Sequence, residues 1–179
     1  MRDFALLGLR VTLGGYLAVH GTQKLFGSFD GPGLDKTSAG FERLGLKPGK
    51  GFATLAGGSE LAGGVLTAAG VASPVGPLAI AGAMLVASIT HADKGPMLQK
   101  GGFELPATNL AAAVALIAVG PGRFSLDRLF GLRLPNAVTR SAAVGATVLT
   151  AYSASRVART KRFVAPGKRA RLSPKVASG

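Results

Sequence analysis

The longest apolar stretch of the chain is free of charge and too long for one membrane-crossing helix. No Asp, Glu, Lys or Arg occurs from 61 to 90, a run of 30 residues, whereas one crossing needs about 20. Ser73-Pro74 and Gly76-Pro77 interrupt the run near its middle, and proline starts or ends a helix at such places. The pattern predicts a tight helical hairpin, with helices over 52–71 and 74–92.

A second uncharged stretch runs from 105 to 122 and has 18 residues. Pro106 stands at its start and Gly120-Pro121-Gly122 at its end, which are start and stop signals for a helix. We therefore predict a further crossing helix over 104–120, which is the last of the four in chain order.

The N-terminal segment 4–26 is apolar except for Arg10, His20 and Lys24. Long basic side chains near the ends of a crossing helix can reach the lipid headgroups. We therefore expect this segment to be the first of four transmembrane helices.

The chain after residue 122 carries a different pattern. Apolar and basic residues alternate over 123–136, which favours an interfacial amphipathic segment. The next stretch, 137–155, is a candidate fifth helix, transmembrane or interfacial, because its uncharged run has only 15 residues. The stretch 156–179 has eight Lys or Arg and no acid, so we predict a disordered basic tail. The predicted fold class is all-α integral membrane: a four-helix transmembrane bundle with an interfacial segment and this fifth C-terminal candidate.

Composition changes how the high net charge is interpreted. Hydrophobic residues make up 47% of the chain and charged residues 16%, yet the net charge is +13; soluble proteins average about 25% charged residues. A basic chain of this size could bind nucleic acid, but 12 of the 21 basic residues follow residue 122. We therefore expect no nucleic-acid partner and a tail that binds anionic lipid. Its lipid- or partner-binding residues are Arg156, Arg159, Lys161, Arg162, Lys168, Arg169 and Arg171.

The absence of cysteine excludes disulfides, thiolate nucleophiles and iron–sulfur clusters. No metal site is predicted.

Basic residues concentrate on the cytoplasmic side of membrane proteins, which places the tail in the cytoplasm. Two arrangements satisfy this rule: four crossings with the N-terminus inside, or five with it outside. They place the 20–51 loop on opposite sides of the membrane.

Polar residues converge in either arrangement. In a hairpin bundle, the end of the first helix, the start of the second, the end of the third and the start of the fourth share one membrane face. Glu60 is the only charge in the second predicted helix, and an ionisable group inside a span faces a cavity or a partner. The residues expected at this face are His20, Lys24, Glu60, His91 and Glu104.

These five residues could bind a quinone, because carboxylate and imidazole groups hydrogen-bond carbonyls and transfer protons. Lys24 could attract an anion such as a sulfur oxyanion. Haem ligation by His20 and His91 is less favoured, since nothing in the sequence fixes their distance. Each charged end residue can equally be a solvated helix terminus. Arg10 belongs to the opposite face and is a candidate structural partner of Asp127.

Six short segments over about residues 1–130 occur together in a fixed order. They are Leu9-Arg10, His20-Gly21-x-x-Lys24-Leu25, Glu60-Leu61-x-Gly63-Gly64, His91, Gly101-Gly102-Phe103-Glu104-x-Pro106 and Gly120-Pro121-Gly122-Arg123-Phe124-Ser125-Leu126-Asp127. Together they resemble the DoxX family of small bacterial membrane proteins. The resemblance implies a four-helix membrane bundle in the bacterial plasma membrane, related to the membrane subunit of thiosulfate:quinone oxidoreductase. It implies a subunit of a membrane redox complex; the alternative is a non-catalytic accessory subunit that docks through helix faces and the tail onto other subunits.

Overall fold

The computed structural model describes the backbone of residues 1–170 and the side chains of residues 1–161. All regular secondary structure in this part of the chain is helical, which confirms the all-α prediction there. The helices are α1 (Arg2–Phe26), α2 (Gly33–Arg43), α3 (Gly49–Ala69), α4 (Val75–His91), α5 (Glu104–Val119), α6 (Leu126–Leu129) and α7 (Asn136–Ala170), with 3-10 turns at Ala92–Lys94 and Leu98–Lys100.

Four of the described helices form a bundle. Helix α1 packs against α3, α3 against α4, α4 against α5, and α5 back against α1. The centre is apolar because α1, α4 and α5 turn long or branched side chains inward, whereas α3 buries mostly glycine and alanine there. The buried centre contains Leu13, Leu17, Ile80, Met84 and Leu116.

Helices α1 and α3 approach at backbone contact distance. A Cβ atom built on Gly14 would lie 2.4 Å from the Gly64 carbonyl oxygen, and one on Gly21 would lie 2.4 Å from the Leu61 nitrogen. Rising numbers on α1 meet falling numbers on α3, so the helices are antiparallel. Small residues permit this close approach, which a chain in lipid uses for helix association.

The α3–α4 turn is held by Asp127. Its carboxylate accepts hydrogen bonds from the backbone N–H groups of Ala72, at 2.9 Å, and Ser73, at 2.8 Å. The predicted Arg10–Asp127 pair is not a direct contact. The Arg10 guanidinium instead donates to the carbonyl oxygens of Ala68 and Phe124, because Asp127 is already engaged by the turn.

Helix α7 runs parallel to α4. A Cβ on Gly82 would meet Thr150 and Ala146 of α7, and further along Lys161 Nζ donates to the carbonyl oxygens of Ile89, at 2.9 Å, and Thr90, at 3.0 Å. Later residues of one helix therefore meet later residues of the other.

The end of α7 differs from the predicted disordered tail, because α7 continues as one helix to Ala170. Ser153 and Val157 are buried, and Lys161 follows four residues later on the same side, so packing holds the helix beyond residue 155. Residues 171–179 lie outside the described part of the chain. The predicted interfacial segment 123–136 is mostly irregular: α6 lies within it, and α7 begins at its last residue.

The two ends of the bundle are distinct. We call the end with residue 1, the 70–74 turn and residues 120–135 the N-terminal end, and the end with residues 27–48 and 92–103 the loop end. Helix α2, at the loop end, lies within a region expected to be a loop, and it packs on α3 and α1.

Two helical segments, Arg2–Phe26 and Val75–Lys94, are long and apolar enough to cross a membrane. Helix α5 is apolar but has 16 residues, about 24 Å against a hydrocarbon core of about 30 Å. Helix α3 is long enough but rich in glycine, and it does not meet the same criterion. Four or more crossings therefore remain a prediction.

Candidate functional site

Two of the five predicted site residues form an ion pair inside the bundle. Lys24 Nζ on α1 contacts Glu60 Oε2 on α3. The Glu60 side chain is only 6% exposed, and that of Lys24 is 28% exposed. A buried carboxylate requires a charged partner, and the antiparallel glycine contact brings this partner to it.

The pair lies beneath the loop end. Thr37 of α2 donates a hydrogen bond to the Lys24 carbonyl oxygen at 3.4 Å. Gly57, one turn before Glu60, leaves room for the Leu25 side chain, which would lie 2.7 Å from a Cβ there. The Lys24 side chain is therefore partly exposed, whereas its partner carboxylate is enclosed by helices.

The other predicted residues lie apart from this pair. His20 is exposed, and its ring packs edge-on against Tyr16 with a centroid separation of 5.9 Å. His91 Nδ1 bonds within its own helix, to the Ala87 carbonyl oxygen at 2.8 Å. Glu104 is the first residue of α5 and is partly exposed. The convergence of all five residues into one ligand site stays a prediction.

A second polar contact in the bundle was not predicted. The Tyr16 hydroxyl donates to Asn109 Oδ1, and Asn109 Nδ2 lies 3.7 Å from the Met84 sulfur. Asn109 is buried. The signal that could have identified it is an amide side chain within the apolar run 105–122, where a buried polar group needs a partner.

The structure describes the side chains of three of the seven predicted tail residues. Arg156 Nε donates to the Gly45 carbonyl oxygen at 3.4 Å, and Lys161 also pairs with Asp93 at 2.9 Å. Arg159 is exposed. These contacts attach α7 to the loop end. The remaining side chains, those of Arg162, Lys168, Arg169 and Arg171, lie outside the described residues.

A small enclosed cavity of about 10 Å³ lies at the N-terminal end of the bundle. Arg10 and Thr67 line it, and both Arg10 Nε and Thr67 Oγ1 are buried without a partner within the described residues. The space matches about one water molecule, which commonly satisfies such groups. Among residues 1–161, no group of three or more His, Asp or Glu could hold a metal ion.

One protein-family model matches the part of the chain that contains the Lys24–Glu60 pair. The DoxX family model matches residues 5–93, about half of the chain. The chain belongs to the DoxX family. The match includes α1 to α4 and with them the Lys24–Glu60 pair, and DoxX membership indicates a membrane protein. Helices α5 to α7 lie beyond the matched residues. No curated protein and no solved structure matches the chain.

Proposed function

We propose that the chain is a DoxX-type integral membrane subunit of a bacterial redox complex. In this proposal the Lys24–Glu60 pair binds a quinone or a sulfur oxyanion through one of its oxygen atoms. The observation that carries the proposal is this ion pair, because the Glu60 side chain is buried and the Lys24 side chain is partly exposed. An ionisable pair in a membrane bundle is costly and usually serves a function. A quinone carbonyl or a sulfur oxyanion offers the acceptor oxygen that the Lys24 ammonium would bind.

Proton transfer gives the carboxylate its role. A quinone takes up two protons with two electrons; in this proposal the electrons come from a sulfur oxyanion that is oxidised at another subunit of the complex. Glu60 is the buried group next to the bound oxygen that could take up a proton and pass it to the quinone. His20 lies one helical turn before Lys24 and is exposed, so it could exchange protons with solvent. His91 and Glu104 belong to the outer boundary of the same face in this proposal.

Turnover of the native complex tests this function. We expect Glu60→Gln to lower quinone reduction at least tenfold while the complex still assembles, because the amide keeps the shape of the side chain but cannot transfer a proton. Lys24→Gln should chiefly raise KM. Lys50→Gln, an exposed lysine at the loop end, is the control and should leave turnover unchanged. Normal turnover in both Glu60→Gln and Lys24→Gln would refute the catalytic proposal.

A non-catalytic accessory role is the second candidate, and α7 favours it. Apolar side chains of Val144, Val148 and Leu149 are exposed along this helix, which lies outside the DoxX match. Another membrane subunit or lipid could cover them. Wild-type turnover in the Glu60→Gln complex, together with loss of assembly in Val144→Ser/Val148→Ser, would favour this role.

The structure supports the five-crossing arrangement over the four-crossing one. Arg156 of α7 touches Gly45 in the loop, so the 27–48 loop and this part of α7 lie at the same end of the bundle. With five crossings in the plasma membrane and the N-terminus outside, that cytoplasmic side collects 15 basic residues, consistent with the positive-inside rule. The 19 residues of 137–155 would span about 28 Å as a helix.

Because the chain has no cysteine, single cysteines can test this topology. Ala39→Cys on α2 and Ala158→Cys on α7 should both be protected from an impermeant maleimide in intact cells, and Gly131→Cys should react. All three positions are exposed. Labelling of Ala39→Cys from outside, with Ala158→Cys protected, would instead establish four crossings.

A further inference from the structure

An open cleft of about 640 Å³ lies at the N-terminal end of the bundle, far from the Lys24–Glu60 pair. It is bounded by the last residue of α3, Ala69, and by residues 123–129 around α6. Arg123 and Arg128 supply its charged lining, and no acidic residue lines it. The cleft is therefore a cationic site at the level where a crossing helix leaves the hydrocarbon core.

The two arginines are not used by the fold. Within residues 1–161, neither guanidinium makes an ion pair or a hydrogen bond; each of these residues bonds through its backbone N–H instead. Two carboxylates lie close by. Asp3 Oδ1 accepts a hydrogen bond from the Arg123 backbone N–H at 2.9 Å, and Asp127 has both carboxylate oxygens occupied by the α3–α4 turn, so neither pairs with a guanidinium. Two positive charges are thus free to bind an anion.

The cleft also has an apolar lining, which binding of a soluble anion would not require. Phe124, Leu126 and Leu129 line it and are all exposed, Leu129 to 72%. Phe130 and Leu132 continue the exposed apolar surface next to it. Exposed apolar patches beside basic residues are the pattern by which proteins bind at the membrane interface.

We propose that this cleft binds the headgroup of an anionic phospholipid, with the phosphate between Arg123 and Arg128 and the acyl chains along Leu126 and Leu129. Arginine suits a phosphate because its planar donors bind two oxygens at once. The site is separate from the ligand site proposed above. It is also at the opposite end of the bundle from the basic tail.

Local lipid affinity can be measured because the chain has no tryptophan. We would place a single reporter by Leu129→Trp, reconstitute the full chain in bilayers, and compare quenching by brominated phosphatidylglycerol and brominated phosphatidylcholine. Each arginine near the surface contributes about a fivefold preference for anionic lipid, so the pair should give a preference of the order of tenfold or more.

Three comparisons decide the result. Arg123→Gln/Arg128→Gln in the reporter chain should abolish the preference, whereas Lys47→Gln/Lys50→Gln, with the same loss of charge at the loop end, should retain it. A Leu55→Trp reporter, half-exposed on α3, should show no comparable preference. Equal quenching by both lipids at Leu129→Trp would overturn the proposal, as would a preference that persists without the two arginines. Displacement of brominated phosphatidylglycerol by inorganic phosphate would assign the cleft to a soluble anion and also refute the lipid proposal.

Discussion

Two adjacent glycines in α1 provide a direct test of the α1–α3 packing. A Cβ on Gly14 would lie 2.4 Å from the Gly64 carbonyl oxygen and 2.6 Å from the Ala68 nitrogen, whereas a Cβ on Gly15 would meet nothing within 4 Å. Both glycines lie in the same turn of the same helix, so alanine changes their helix propensity almost equally. The difference between Gly14→Ala and Gly15→Ala isolates the contact.

The two substitutions are expected to change the free energy of unfolding in opposite directions. Alanine in place of a helical glycine is worth about 1 kcal/mol of helix propensity, so Gly15→Ala should be neutral or stabilising. In Gly14→Ala the helices must separate by about 1 Å to restore an ordinary contact of 3.4 Å. Because backbone atoms cannot rotate away, overpacking of about 1–3 kcal/mol or more outweighs the propensity gain. Because the propensity gain is common to both variants, they should differ by the overpacking alone, about 1–3 kcal/mol or more.

Unfolding in mixed micelles, followed by far-ultraviolet circular dichroism, measures this difference. We expect the midpoint of Gly14→Ala to fall and that of Gly15→Ala to stay or rise. Gly58→Ala on α3, which also has open space around its Cβ, is a second control and should behave like Gly15→Ala. Equal midpoints for Gly14→Ala and Gly15→Ala would refute the close approach of α1 and α3.

Three further perturbations test other contacts. Lys24→Gln, Glu60→Gln and the double variant form a double-mutant cycle, and unfolding should give a coupling energy of about 1 kcal/mol or more, because one partner is buried; additive effects would exclude the pair. Asp127→Ala removes the acceptor for two turn N–H groups and should cost about 1–3 kcal/mol in the same assay, whereas a midpoint equal to wild type would show that the turn is held otherwise. Lys161→Met keeps the apolar stem but removes the donor to the end of α4, so limited proteolysis should cut α7 near residue 161 faster than in wild type; an unchanged rate would contradict that attachment.

The membrane-type helices follow from the sequence alone, because the uncharged runs and the Gly and Pro signals at their ends are local features. The expected helices at 4–26, 52–71 and 74–92 have α1, α3 and α4 as their counterparts. Helix α2 was missed because its 11 residues carry a short mixed pattern, and it is stabilised by packing on α3 and α1. The tail was expected to be disordered because charge dominates its composition, whereas the contacts of Val157 and Lys161 continue α7 through the first residues of this stretch.

The candidate site, too, is predicted in part by the sequence and decided in part by the folded structure. Glu60 stands out in the sequence, since it is the only charge in the predicted helix 52–71, but its partner depends on the register of α1 against α3. That register is fixed where Gly14 meets Gly64 and Gly21 meets Leu61, and only the folded structure decides it. Residue types and their spacing thus determine which segments become helices and which polar residues are costly to bury. The backbone contacts between distant segments decide that Lys24 reaches Glu60, that Arg10 bonds carbonyl oxygens, and that α7 lies beside the loop.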